Sequence, residues 1–96
     1  HFPKAYTGGY LPAPPDLAVE VISATDREAN ILVMLSTYLS AGTVVWIVYP
    51  TTFEVQVHVP YELPLVLSLE DTLTGGNVLP GFSVPVRAFF QPLLTD

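Results

Sequence analysis

Two apolar segments bracket one amphipathic helical pattern, and this arrangement constrains the fold more than any other feature of the chain. Leu17-Ala18-Val19-Glu20-Val21-Ile22-Ser23 is β-rich and almost continuously apolar, with Glu20 as its only charge. Val44-Val45-Trp46-Ile47-Val48 is wholly apolar and stops at Pro50. Runs of this length and composition read as buried strands. Between them, Ile31, Leu32, Leu35, Tyr38 and Leu39 recur at helical spacing. We expect a helix over 27–40, opened by a capping box of Thr25 and Glu28 and closed by Gly42 in the left-handed region. A strand–helix–strand order makes 17–23 and 44–48 parallel neighbours.

Downstream the pattern changes. Phe53, Val55, Val57 and Val59 alternate with Glu54, Gln56 and His58. This period of two predicts a half-buried strand over 53–59, paired antiparallel with 44–48 through a tight link, with His58 turned to solvent. Pro60 and Pro64 interrupt, and 65–69 reads as a short strand. Residues 70–77 read as a turn region, with Gly75-Gly76 as a hairpin turn. Residues 78–84 read as an extended piece through Pro80-Gly81, and 86–91 as a short helix with Pro85 at its first position. Residues 1–15, punctuated by Gly8-Gly9, Pro12, Pro14 and Pro15, read as loop. Trp46, Phe53, Phe82, Phe89 and Phe90 are core candidates, and Phe89-Phe90 could also anchor the short helix or an interface. The fold class is α+β, a three-layer α/β/α-like arrangement of a mixed sheet and one main helix, in a single domain over 1–96.

Composition narrows the function. Half of the residues are hydrophobic and 12% are charged, which excludes an intrinsically disordered chain. That is an apolar balance for a lone monomer, so a partner chain or a further segment is expected to cover part of the surface, with homo-oligomerisation the simplest form. The start at His1, without Met or an apolar signal core, reads as a fragment or a cut. There is no cysteine, hence no disulfide, thiolate metal site or cysteine nucleophile, in keeping with a cytoplasmic location. No apolar run approaches the ~18 residues of a membrane span. The net charge is −6, and Lys4, Arg27 and Arg87 are the only basic side chains apart from two histidines. Such a chain shows no generic surface for phosphate backbones.

The residues with chemical potential are carboxylates. Asp16 and Glu20 are four apart in an extended segment and point to one face. A carboxylate inside a buried strand is costly unless it is paired, protonated or bound to a cation. Two readings stay open on this basis. Glu20 either binds a hard divalent metal such as Mg²⁺, or it is satisfied by a backbone group or by Arg27 or Arg87. His1 and His58 lack cysteine partners and are weak metal signals. No phosphate-binding glycine loop and no nucleophile elbow is present.

Four segments in register carry a resemblance. They are Pro15-Asp16-Leu17-Ala18-Val19-Glu20-Val21-Ile22-Ser23, Tyr38-Leu39-Ser40-Ala41-Gly42, Val45-Trp46-Ile47-Val48 with Pro50, and the tail from Leu73 to Val86 that includes Gly75-Gly76-Asn77 and Pro80-Gly81-Phe82. In this order and spacing, over roughly residues 9–91, the chain resembles the Uma family of restriction endonuclease-like proteins, within the PD-(D/E)XK nuclease superfamily. The resemblance implies a restriction-endonuclease-like core and a Mg²⁺-dependent nuclease acting on DNA phosphodiesters. It implies Glu20 as catalytic metal ligand, Asp16 as a supporting acid in the same site, and Ser23 as a hydrogen-bonding support at the strand end. The chain departs from the pattern at four points. The family's upstream Pro-Asp strand is expected before His1. Met34 stands where the family helix often carries lysine, Ile22 where the superfamily motif has its lysine, and Tyr49 where an aspartate usually precedes Pro50. The resemblance therefore also admits a catalytically degenerate member used as a binding or homo-oligomeric assembly module.

Overall fold

The structure, a computed structural model, describes residues 13–94. Most of the segment read as loop, 1–15, lies outside those residues, as does His1; Ala13–Pro15 form no helix or strand. The described elements are β1 (Leu17–Val21), α1 (Glu28–Ser40), β2 (Val44–Tyr49), β3 (Glu54–His58), β4 (Leu65–Leu67), β5 (Thr72–Thr74), β6 (Ser83–Pro85) and α2 (Val86–Leu94).

Strands β1–β4 form one sheet in sequence order. β1 and β2 are parallel, with Glu20 opposite Ile47, as the strand–helix–strand order requires. β2 and β3 are antiparallel, with Ile47 opposite Gln56 and Val48 opposite Val55, and β3 and β4 are antiparallel, with Gln56 opposite Val66. The sheet is therefore mixed, and with its two helices the fold is α+β. Two bonds lock β1 onto β2 where β1 begins. The fully buried Thr43 donates its hydroxyl to the Pro15 carbonyl at 2.7 Å, and the Val44 amide donates to the Asp16 carbonyl at 3.0 Å. At the other end the Ile22 amide reaches the Val48 carbonyl at 2.9 Å, so pairing runs one residue beyond the strand.

Helix α1 begins one residue later than expected, and its start differs in kind. Arg27 occupies the N-cap with extended backbone and no side-chain bond. The expected capping box does not form, because Thr25 bonds the Ser23 hydroxyl at 3.0 Å and Asp26 accepts from the Ser23 amide and hydroxyl at 2.7 and 3.2 Å. These short polar side chains close the β1–α1 loop on itself, a local competitor of the helix cap. The C-terminus matches expectation. Gly42 has φ +85°, its amide donates to the Leu39 carbonyl, and the Thr43 amide donates to the Tyr38 carbonyl. This is the paired-bond Schellman ending that a glycine after the cap permits.

The second half of the chain corrects the sequence reading. Thr72–Thr74, expected as turn, is strand β5, antiparallel to β6 with Leu73 opposite Val84. The connection between them, residues 75–82, contains Gly75-Gly76, so the glycines do sit in a hairpin connection. A side chain on Gly75 would stand 2.0 Å from the Leu79 carbonyl oxygen, so only glycine fits this approach. Pro85 ends β6 instead of opening the helix, and the Val86 amide donates to the Asp71 carbonyl at 2.9 Å. α2 then runs to Leu94 through Pro92, three residues beyond the expected end.

The core lies on one face of the sheet. Trp46, Val48 and Val55 pack with Leu73, Val86 and Phe90, and Leu17, Val19 and Val57 join at the edge. Phe53 meets Phe90 edge-on at 5.5 Å and Trp46 meets Phe82 at 5.4 Å, both in the range for aromatic pairing. Phe89, expected as core, is 37% exposed because it falls on the outer side of α2. Among the described residues no helix is long and apolar enough to cross a membrane.

Candidate functional site

The strand register fixes which side chains share the other face. Leu17 and Val19 belong to the core face of β1, so Ala18 and Glu20 point the opposite way. The same alternation turns Val45, Ile47 and Tyr49 of β2 and Glu54, Gln56 and His58 of β3 to Glu20's side. One row across the sheet is thus Glu20, Ile47, Gln56 and Val66. α1 lies on this face, since the Tyr38 hydroxyl donates to Glu20 Oε2 at 3.1 Å.

That bond resolves how a carboxylate is tolerated in β1. Glu20 is half-buried and takes the Tyr38 phenol as a donor. Arg87, one of the expected partners, instead pairs with Glu70 at 3.1 Å beside the hairpin. Burial, then the negative charge of Glu20, then the hydrogen bond to it raise the Tyr38 phenol above its usual range, so Tyr38 keeps its proton as the donor of this bond. Met34 lies one helical turn before Tyr38, and residues four apart share a helix face. The apolar Met34 and Ile22 therefore stand at positions where the resembled pattern carries an ammonium.

The other expected members of the site are dispersed. Asp16 immediately precedes β1 and is exposed, about 13 Å along the chain from Glu20 at the usual strand rise. Ser23 is exposed and committed to Asp26 and Thr25. His58, expected in solvent, is half-buried on the α1 side, bonded to Gln56 Oε1 at 3.0 Å. Burial lowers its pKa from 6.5, so it is neutral at neutral pH. The alternation placed His58 opposite the core correctly, but that face is itself partly covered by α1. Tyr49 is raised from 10.0 by burial and then by the charges of Glu28 and Glu54, which marks this end of the face as acidic.

Among the described residues no three of His, Cys, Asp and Glu converge as a metal cage. Mg²⁺ does not need one, because it is commonly held by one or two carboxylates together with substrate phosphates and water. Glu20, an oriented oxygen donor in a half-buried setting, fits that minimal role. Gln56 and His58 share the face with Glu20. The β3 alternation combined with the β2–β3 register sets that placement.

Comparison with known proteins agrees with the fold. Residues 2–87 match the Uma2 family, described as "Putative restriction endonuclease". The fold matches the crystal structure of a putative nuclease belonging to DUF820 from Anabaena variabilis ATCC 29413, with a TM-score of 0.76 and 19% identity. The match covers 85% of this chain and 47% of that one, so the chain spans about half the length of its structural neighbour. No curated protein matches. With the family match extending over almost the whole chain, from before β1 through the start of α2, the protein belongs to the Uma2 family.

Proposed function

We propose that this Uma2-family chain acts in Mg²⁺-dependent hydrolysis of DNA phosphodiesters, with Glu20 as the carboxylate that engages the metal. The observation that carries the reading is the placement of Glu20: half-buried on the α1 face of the parallel β1–β2 pair, oriented by Tyr38. Family membership and the nuclease-like fold support it. A bound Mg²⁺ would supply charge neutralisation for the scissile phosphate and an activated water. Of the chain's own residues, Tyr38 holds the Glu20 carboxylate in place through its hydroxyl. Asp16 serves as an outlying acid at the far end of β1, and further oxygen ligands come from outside residues 13–94 or from the DNA. The reading places the protein in the cytoplasm with its substrate. The acidic surface makes binding to DNA depend on the metal, since Arg27 and Arg87 are the only Lys or Arg side chains among the described residues.

Plasmid nicking with Mg²⁺ or Mn²⁺ tests this on the parent, Glu20→Gln and Met34→Lys. Metal-dependent nicking that Glu20→Gln abolishes and Met34→Lys raises supports the assignment. Nicking unaffected by Glu20→Gln removes Glu20 from the chemistry.

A second reading rests on a separate observation. Tyr61, Leu63, Leu65 and Val66 around the β4 edge are 56–106% exposed, and Leu32 and Val33 of α1 are 56% and 66% exposed. Apolar exposure on this scale suits a degenerate nuclease fold that assembles as a homo-oligomer. Sedimentation equilibrium separates the readings: self-association without nicking in any variant favours assembly, and a monomer at high concentration removes it.

A further inference from the structure

A cavity of about 270 Å³ opens on the face of the sheet opposite Glu20. One wall is Trp46 of β2, Val57 of β3 and Leu65 and Leu67 of β4; the other is Leu73 of β5 and the Gly75-Gly76 backbone. The walls are mostly apolar, with Thr72, Thr74 and Asn77 as polar members beside the hydrophobic side chains. Scaled from the ~150 Å³ apolar cavity that accepts benzene, the volume suits a guest of about ten non-hydrogen atoms.

Glu62 is the one charged residue among the described residues that line this space. It is exposed, so it stands at the opening, and its amide is tied to the Val59 carbonyl at 3.1 Å. Its carboxylate makes no hydrogen bond or ion pair among the described residues. A mostly apolar cavity with one carboxylate at its mouth is the usual composition of a small-ligand site, in which a few polar groups fix orientation.

We propose that this cavity binds a small amphipathic ammonium ion, with an aromatic or branched aliphatic body against Trp46 and Leu73 and a protonated amine at Glu62. The site is separated from the Glu20 face by the sheet itself, so the proposal stands independently of the nuclease reading.

Trp46 is the only tryptophan of the chain and lines the cavity, so its fluorescence reports occupancy directly. The test titrates 2-phenylethylamine into the full chain at neutral pH, with ethylbenzene and 3-phenylpropionate as neutral and anionic comparators. The expected result is a saturable change at Trp46, tightest for the amine and weakest for the anion. Glu62→Gln weakens the amine about two- to fivefold, the range of an exposed ion pair, and leaves ethylbenzene unchanged. Val59→Phe, or Thr74→Phe on the exposed wall, fills the space and removes the response while circular dichroism stays that of the parent. Absence of saturation, equal binding of all three probes, or a response that survives both filling variants overturns the proposal. So does a nuclear Overhauser contact in the free chain between Leu73 and any of residues 1–12, which would make the occupant this chain's own segment.

Discussion

On the hairpin side of the β1–β4 sheet, Trp46, Val55, Val86 and Phe90 are at most 4% exposed, whereas on the α1 side no residue of α1 is buried. The first face excludes water with aromatic and branched side chains. The second carries Glu20, Gln56 and His58 in half-buried settings under a helix whose Leu32 and Val33 remain open. Among the described residues of the strands, Ala18, Val45 and Ile47 are fully packed there. The difference assigns tasks: apolar burial on one face supplies stability, and the polar row on the other can be altered at small cost to the fold.

The largest expected effect attacks the hairpin face. Phe90→Ala should cost about 3–5 kcal/mol, and Leu35→Ala on half-buried α1 clearly less. Urea denaturation of both variants checks this, and equal losses would break the division between faces. Next, Gly42→Ala should cost about 1–2 kcal/mol, because φ +85° disfavours any Cβ although nothing lies within 4 Å to clash with it. The shift in thermal midpoint reads it, and would show that α1 depends on its ending more than on its packing.

Tyr38→Phe removes the donor to Glu20 and should cost about 0.5–1.5 kcal/mol. A double-mutant cycle with Glu20→Gln isolates that bond, and a coupling of zero would detach Tyr38 from the site. The smallest effect is that of His58. Its folded pKa lies below its unfolded 6.5, so the unfolded chain binds the proton more readily. Stability should be unaffected by this group above that pKa, and should fall as pH drops from 6.5 toward the lower folded value. His58→Gln should flatten that part of the urea-midpoint profile, and an unchanged slope would return His58 to solvent.

What was legible in the sequence was local or nearly so. The strands expected over 17–23 and 44–48, found at Leu17–Val21 and Val44–Tyr49, the helix between them and its Gly42 ending follow from runs and periods of a few residues. β5 was not legible, because Thr72–Thr74 is defined by a partner strand, with Leu73 opposite Val84, and sits among turn-forming residues. The Thr25–Glu28 capping box failed because Ser23 and Asp26 offered the loop a nearer set of bonds. At the site, Glu20 stood out as a lone charge in an apolar run. Tyr38 as its partner, and Gln56 and His58 on the same face of the sheet, depend on register and helix placement that only the folded chain defines.

Paramagnetic line broadening by Mn²⁺ tests the central claim, that metal chemistry belongs to the α1 face, without requiring turnover. With Mn²⁺ titrated into the ¹⁵N-labelled chain, the account predicts that amides around Glu20 and Tyr38 broaden first and that Glu20→Gln abolishes the selectivity, while Leu73 and Phe90 stay sharp. Broadening centred on Glu70 and Asp71, or an identical pattern in Glu20→Gln, would contradict it.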